Sequence, residues 1–221
     1  LGAWHWGDPD HYRYQGVDYI LVPIPIGGDA DNDIVACFLA EDLTYVNYAY
    51  LDATYQEYAG WCAIGPGGDL YSSRNDFNEI IRYNVNWASL ISGSHSAITF
   101  LEVIPLFDSG GDPIDAMENV QGGEFSDSGE TLFIVTGRGE CAGNGEVTPN
   151  DAIHAFSTST WREQRRSLNT GDTSTPFAFE YNNGCACVAG SQTPEGLTYW
   201  NIDGGSVPGI RGQLHVLVDH Y

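Results

Sequence analysis

The feature of this 221-residue sequence that most limits its fold is the recurrence of short β-rich runs separated by turn clusters. Runs rich in Val, Ile, Tyr and Thr are typical of strands, and clusters of Gly, Asp, Asn and Pro are typical of turns. Ile34–Leu39 and Thr131–Thr136 are examples of such strands, whereas helix signals are almost absent. The pattern therefore predicts an all-β protein.

The β-rich runs are organised as four similar segments, each opening with small and aromatic residues that precede a turn and further strands. The openings include Asp8, Cys62, Glu124 and Glu180, which lie between 54 and 62 residues apart. A propeller blade with long loops accounts for this period, whereas a β-sandwich imposes no regular period. We predict a β-propeller, with four blades of four antiparallel strands in a single domain spanning residues 1–221. Five blades or a β-sandwich are the alternatives.

Several segments also resemble a known group of proteins. His5–Asp10, Gly60–Ile64, Val120–Ser126 and Gly196–Asp203 resemble segments of uncharacterised secreted microbial β-propeller proteins, and Pro208–Val216 resembles their closing strand. The resemblance implies a propeller fold and export from the cell. It carries no catalytic residues across, because no activity is established for the group. We expect the last strand to complete a blade with N-terminal residues.

The charge balance excludes several classes of function. The chain has 30 acidic and 8 basic residues, all of the basic ones Arg, for a net charge of −22. So negative a chain repels phosphate backbones, which argues against nucleic-acid binding. The absence of Lys excludes a P-loop and a Schiff-base lysine. No apolar run is long enough for a transmembrane helix, and the composition favours an extracellular protein.

The five cysteines do not pair completely, because their number is odd. We expect Cys141 to form a disulfide with either Cys185 or Cys187. Those two are poor partners for each other, since residues two apart in a strand lie on the same face. Free thiols, or a metal site, are the alternatives.

A cluster of acidic residues is expected at the centre of the propeller. If the four openings are inner strands, Asp8, Glu124 and Glu180 converge on the axis, with His5 and Asp10 near the same mouth. Carboxylates this close repel unless a cation or a proton lies between them. We predict a ligand-binding site here; a register error of one residue would turn each side chain to the other face.

A second acidic group, in the turn after Gly27-Gly28, is the candidate metal site. Asp29, Asp31 and Asp33 alternate, and converging carboxylate oxygens are the ligands that Ca²⁺ prefers. The Gly and Glu that would complete an EF-hand loop are missing. The sequence predicts a structural calcium ion here, with a solvated acidic turn as the alternative.

The six Trp and 13 Tyr residues bear most directly on the ligand. Aromatic residues left over from the core suit sugar rings, which stack on flat apolar faces. We predict a secreted, non-enzymatic binding protein whose ligand is a carbohydrate. One alternative is a metal-dependent or carboxylate-pair hydrolase or lyase at the channel mouth. Another is a self-assembling homo-oligomeric subunit of a filament or surface layer.

Overall fold

The computed structural model describes residues 6–26, 33–75, 77–117, 119–137, 152–167, 192–200 and 214–220. These residues form four antiparallel sheets, of four, four, four and two strands. Within each sheet the strands are neighbours in chain order. The all-β prediction is therefore confirmed.

The first sheet is made of four strands. They are β1 (Asp10–Tyr14), β2 (Val17–Ile24), β3 (Ile34–Leu39) and β4 (Tyr45–Tyr50). The turn between β1 and β2 contains Gln15 and Gly16, whose φ angles of 50° and 86° are those of a two-residue hairpin. The two central strands are largely buried on both faces, since neighbours such as Leu21 and Val22 are both buried. This explains why their sequences read as continuous apolar runs.

The second sheet contains the one helix found in the described ranges. Its strands are β5 (Ala63–Ile64), β6 (Leu70–Ser72), β7 (Glu79–Val85) and β8 (Ile98–Pro105), and α1 (Trp87–Ile91) lies between the last two. The sequence pattern does not predict α1, because a helix of five residues is too short to show a helical period. It is capped by the Asn86 side chain, which accepts from the Ser89 amide at 3.1 Å. No helix in the described part is long and apolar enough to cross a membrane.

The third and fourth sheets complete the described chain. Their strands are β9 (Val120–Phe125), β10 (Thr131–Thr136), β11 (Ile153–Ser157) and β12 (Glu163–Arg166), followed by β13 (Gln192–Tyr199) and β14 (Leu214–His220). β14 pairs with β13. The register explains this choice: it places Leu197 opposite Val216 and Tyr199 opposite Leu214, matching apolar residues on one face. Residues 1–5 lie outside the described residues, so the expectation that the last strand completes a blade with N-terminal residues stays a prediction.

The sheets pack face to face, as the blades of a β-propeller do. One apolar cluster, including Leu21, Leu70 and Tyr83, joins the first and second sheets. A second cluster, including Phe77 and Phe156, joins the second and third sheets, and smaller clusters complete the core. The first strands of the sheets are in contact, with β5 beside both β1 and β9 and with β13 beside β9. These four strands are therefore neighbours in the order β1, β5, β9 and β13.

Candidate functional site

Asp8, just before β1, makes hydrogen bonds to each of the other three sheets. Its amide donates to the carbonyl of Gly60 at 2.9 Å, and its carbonyl accepts from the amide of Cys62 at 3.1 Å, in the segment that leads into β5. Its carboxylate accepts from the amide of Gly123 in β9 and from that of Leu197 in β13, the latter at 3.0 Å. A single buried aspartate thus links the four sheets.

Asp10 and Glu124 lie beside Asp8. The carboxylate of Asp10 accepts from the amide of Ile64 and is hydrogen-bonded to the carboxyl group of Glu124. Glu124 also accepts from the amide of Tyr199 in β13. Asp8, Asp10 and Glu124 are here called the central carboxyl cluster.

The cluster is arranged to hold protons. Burial is the largest cause of the raised pKa of all three groups, and it raises the pKa of Asp10 to about 6. Burial and the nearby charge of Asp10 raise the pKa of Glu124 to about 9. A hydrogen bond between two carboxyl oxygens also requires a proton on one of them. Three full negative charges are therefore not expected here at neutral pH.

The sequence-predicted site residues are only partly brought together. Asp8, Asp10 and Glu124 meet, although the carboxyl group bonded to Glu124 is that of Asp10 rather than Asp8. His5 and Glu180 lie outside the described residues. β13 contacts the cluster through the main-chain amides of Leu197 and Tyr199. Ligand binding by the cluster stays a prediction.

Asp33 is the described member of the predicted calcium set, and its carboxylate binds main-chain amides. One oxygen accepts from Ile26 at 3.0 Å and the other from Ala59 at 2.5 Å, in a buried position. These contacts give Asp33 a structural role in joining β2 to the segment before β5. Asp29 and Asp31 lie outside the described residues, so the calcium site stays a prediction. Across the described ranges, no group of three or more His, Cys, Asp and Glu is placed to hold a metal ion.

The cysteine predictions fall largely outside the described residues, which exclude Cys141, Cys185 and Cys187. Cys37 and Cys62 are buried free thiols. Burial raises the pKa of Cys37 to about 12 and raises that of Cys62 as well. Both thiols therefore stay protonated, and that of Cys62 donates to the carbonyl of Leu21 at 3.5 Å.

A groove between the second and third sheets combines aromatic and charged side chains. It encloses about 500 Å³ and is here called the Trp161 groove. The lining residues that carry its chemistry are Tyr71, Arg82, Glu102, Phe125, Thr158 and Trp161. The ring of Tyr71 lies 4.9 Å from that of Phe125, edge-on, and 6.2 Å from that of Trp161, with a tilt of 33°. These rings form an apolar wall.

Arg82 supplies the polar side of the Trp161 groove. Its guanidinium carbon lies 5.8 Å from the centre of the Tyr71 ring. Its Nε and Nη2 donate to Asp69 at 3.0 and 2.6 Å, and its Nη1 donates to Glu102 at 2.9 Å. Two carboxylates therefore hold the guanidinium in a fixed orientation and compensate its charge.

The position of Trp161 is fixed by the backbone around it. Its φ of 55° is in the left-handed region, which costs a bulky residue about 1–3 kcal/mol and persists only where the surroundings impose it. Its amide donates to the carbonyl of Ser157 at 2.7 Å. Its carbonyl accepts from the amide of Phe107, which follows β8 of the second sheet, at 2.9 Å. Glu163 donates back to the carbonyl of Phe107 at 2.8 Å. The two walls of the groove are thus joined by main-chain pairing.

The sequence pattern does not separate Trp161 from the other five Trp residues. Tyr71, Arg82 and Glu102 lie in another segment, and no local spacing connects them with Trp161. The one available signal was the pairing of strands β6, β7 and β8, which places Tyr71 opposite Arg82 and Arg82 opposite Glu102. This pairing follows only from the register of the three strands, which the sequence alone does not define.

The sequence matches no protein-family model and no curated protein. Among solved structures, similarity is found to the β-propeller domain of Cps50 (Swd1) from Myceliophteria thermophila, with a TM-score of 0.41, 10% identity, and coverage of 85% of this chain and 45% of that one. Hydrazine synthase of Kuenenia stuttgartiensis is similar with a TM-score of 0.38 and 12% identity, and the match covers 89% of this chain and 46% of that one. KlHsv2 with loop 6CD replaced by a Gly-Ser linker is similar with a TM-score of 0.36 and 8% identity, and the match covers 96% of this chain and 70% of that one. The chain spans about half the length of the first two.

Proposed function

We propose that this chain is a secreted, non-enzymatic carbohydrate-binding protein whose sugar site is the Trp161 groove. The observation that carries the proposal is the presence, in one groove, of an aromatic wall and the Arg82–Glu102 pair. Sugar rings present an apolar C–H face that packs on aromatic rings, while their hydroxyl groups hydrogen-bond with charged and polar side chains. The volume of about 500 Å³ lies within the usual range for a ligand pocket.

The charges in the groove favour a neutral sugar over an acidic one. Arg82 is bonded to both Asp69 and Glu102, so the three groups together carry a net negative charge. A sugar carboxylate would be repelled by the two acidic groups. A pair of neighbouring hydroxyl groups, in contrast, finds a donor in Arg82 and an acceptor in Glu102.

The proposal is tested by screening the protein on a glycan array and measuring the affinity of the best neutral ligand by calorimetry. Glu102→Gln removes a charged acceptor from the groove, and because hydrogen bonds to charged groups are the stronger ones, we expect binding to weaken by about tenfold. Glu41→Gln, at an exposed position outside the groove, is the matched control and leaves the affinity unchanged. Absence of any glycan ligand contradicts the proposal.

Calcium is part of the proposal as a structural ion near Asp33. Ca²⁺ at the acidic turn would stabilise the folded chain by mass action. Adding Ca²⁺ after chelation should raise the melting temperature, and Asp31→Asn should abolish the rise. An unchanged melting temperature in Ca²⁺ would contradict this part of the proposal alone.

An enzyme acting at the central carboxyl cluster is the second candidate. The observation that favours it is the pairing of Glu124, with its pKa raised to about 9, and Asp10, with its pKa raised to about 6. A carboxyl group kept protonated at neutral pH is what a general acid requires. Release of reducing ends from a bound glycan, abolished by Glu124→Gln, would support this candidate over simple binding.

A further inference from the structure

A second groove, separate from the Trp161 groove, lies between the first and second sheets. It encloses about 620 Å³ and is here called the Tyr50 groove. The lining residues that matter are Tyr50 at the end of β4, Asp52 just after it, His95 and Ser96 after α1, and Thr99 and Phe100 in β8.

Aromatic rings at fixed angles form the walls of the Tyr50 groove. The ring of His95 stacks on that of Tyr48 at 4.1 Å and meets the ring of Tyr50 at 6.2 Å with an angle of 87°. The amide of Tyr50 donates to the carbonyl of His95 at 3.0 Å, which joins these two walls. The ring of Phe100 is held from behind by Tyr55, which stacks on it at 3.6 Å.

The charge of the Tyr50 groove is negative. Asp52 is exposed within it, and its Oδ1 accepts from the amide of Thr54 at 2.9 Å, which fixes the carboxylate. No arginine is among the described residues that line the groove. The chain as a whole is also negative, with a net charge of −22. A cationic ligand is therefore attracted, and an anionic one is repelled.

We propose that the Tyr50 groove binds an organic cation through a quaternary ammonium group. Such a group is too large and too weakly hydrated to need hydrogen bonds, and it is attracted by the negative faces of aromatic rings such as Tyr50. Asp52 compensates its charge at the groove mouth. The site is independent of the carbohydrate site, so either can fail without the other.

Choline is the probe for this site, and 3,3-dimethyl-1-butanol, which has the same shape without the charge, is its matched control. Titration followed by NMR should give saturable shifts with choline and none with the alcohol. Tyr50→Leu and Asp52→Asn should each weaken choline binding by about tenfold. Asp52→Asn keeps the oxygen that binds the Thr54 amide, so the local turn is preserved.

Two matched variants exclude general effects of the substitutions. Tyr45→Leu changes an exposed tyrosine at the other end of β4. Asp42→Asn changes an aspartate whose Oδ1 accepts from the amide of Thr44 at 2.9 Å, which is the same contact that Asp52 makes with Thr54. Both should leave choline binding unchanged. Absence of choline binding, equal binding of the alcohol, or equal loss in the control variants would each overturn the proposal.

Discussion

At the scale of single residues, the central carboxyl cluster depends on the absence of side chains around it. Gly122 and Gly196 face Asp8 so closely that an added Cβ would lie 2.5 Å from its Oδ2 and 2.6 Å from its Oδ1, respectively. The main chains of β9 and β13 can approach the carboxylate only because these positions are glycine. The amides of Gly123 and Leu197 then reach it.

Replacing Gly122 with alanine should therefore destabilise the protein. We expect a loss of about 1–3 kcal/mol in the free energy of unfolding, because the new methyl group must displace Asp8 or the backbone. Urea denaturation measures this directly. Gly67→Ala is the control, since an added Cβ there meets no atom within 4 Å. Equal stability of the Gly122→Ala variant and the parent would contradict the close packing around Asp8.

The raised pKa of Glu124 predicts a dependence of stability on pH. The pKa is about 9 in the folded protein and about 4.5 in the unfolded chain, so between these values the folded state holds a proton that the unfolded state lacks. Stability should thus fall as the pH rises through this window, by at most about 1.4 kcal/mol per pH unit. Glu124→Gln should flatten the decline, whereas Glu130→Gln, on an exposed turn, should not. A parent protein whose stability rises from pH 5 to 9 would contradict the assignment.

At the scale of elements, the third sheet contains a buried polar network that crosses three strands. The Oγ1 of Thr136 in β10 lies 3.1 Å from the Nε2 of His154 in β11, whose Nδ1 lies 2.7 Å from the Oε1 of Glu163 in β12. Arg166 donates to both oxygens of Glu163, at 2.8 and 2.9 Å. Burial would raise the pKa of Glu163, but these hydrogen bonds outweigh it and lower the pKa to about 2.

Glu163→Gln should weaken this sheet in a pH-dependent way. The lowered pKa means that the ionised Glu163 stabilises the fold fully above about pH 4.5, and that this contribution is lost as the pH falls toward 2. We expect a cost of about 1–3 kcal/mol at pH 7, because bonds to a charged acceptor are lost. Urea denaturation at several pH values measures the difference between the two proteins. A difference that stays constant down to pH 3 would contradict the role of the charge.

The strands were largely predictable from sequence, and the sites were only partly so. Ile34–Leu39 and Thr131–Thr136 have the predicted ends, because each is a continuous apolar run with turn residues on both sides. The sequence repeat alone predicted that Asp8 and Glu124 lie close together, and in the structure they do. The Trp161 groove was not found, because its walls come from different sheets and depend on strand register.

At the scale of the whole molecule, we propose that the four sheets form one closed ring of four blades. The support is that Asp8 precedes the first sheet yet binds the amide of Leu197 in the fourth. A single residue that is hydrogen-bonded to the other three sheets, through its main chain and its carboxylate, should also make their unfolding cooperative. Calorimetry should therefore give one transition, with equal calorimetric and van't Hoff enthalpies. Two separate transitions would contradict a single domain.

The central claim, that the Trp161 groove binds a neutral sugar, is tested most directly by two matched tryptophan variants. Trp161→Phe reduces the aromatic wall of the groove, whereas Trp200→Phe changes an exposed tryptophan outside it. Calorimetric titration with the glycan identified on the array should give an affinity about tenfold lower for Trp161→Phe, as a reduced stacking surface predicts, and an unchanged affinity for Trp200→Phe. Equal affinities for the parent and Trp161→Phe would contradict the claim.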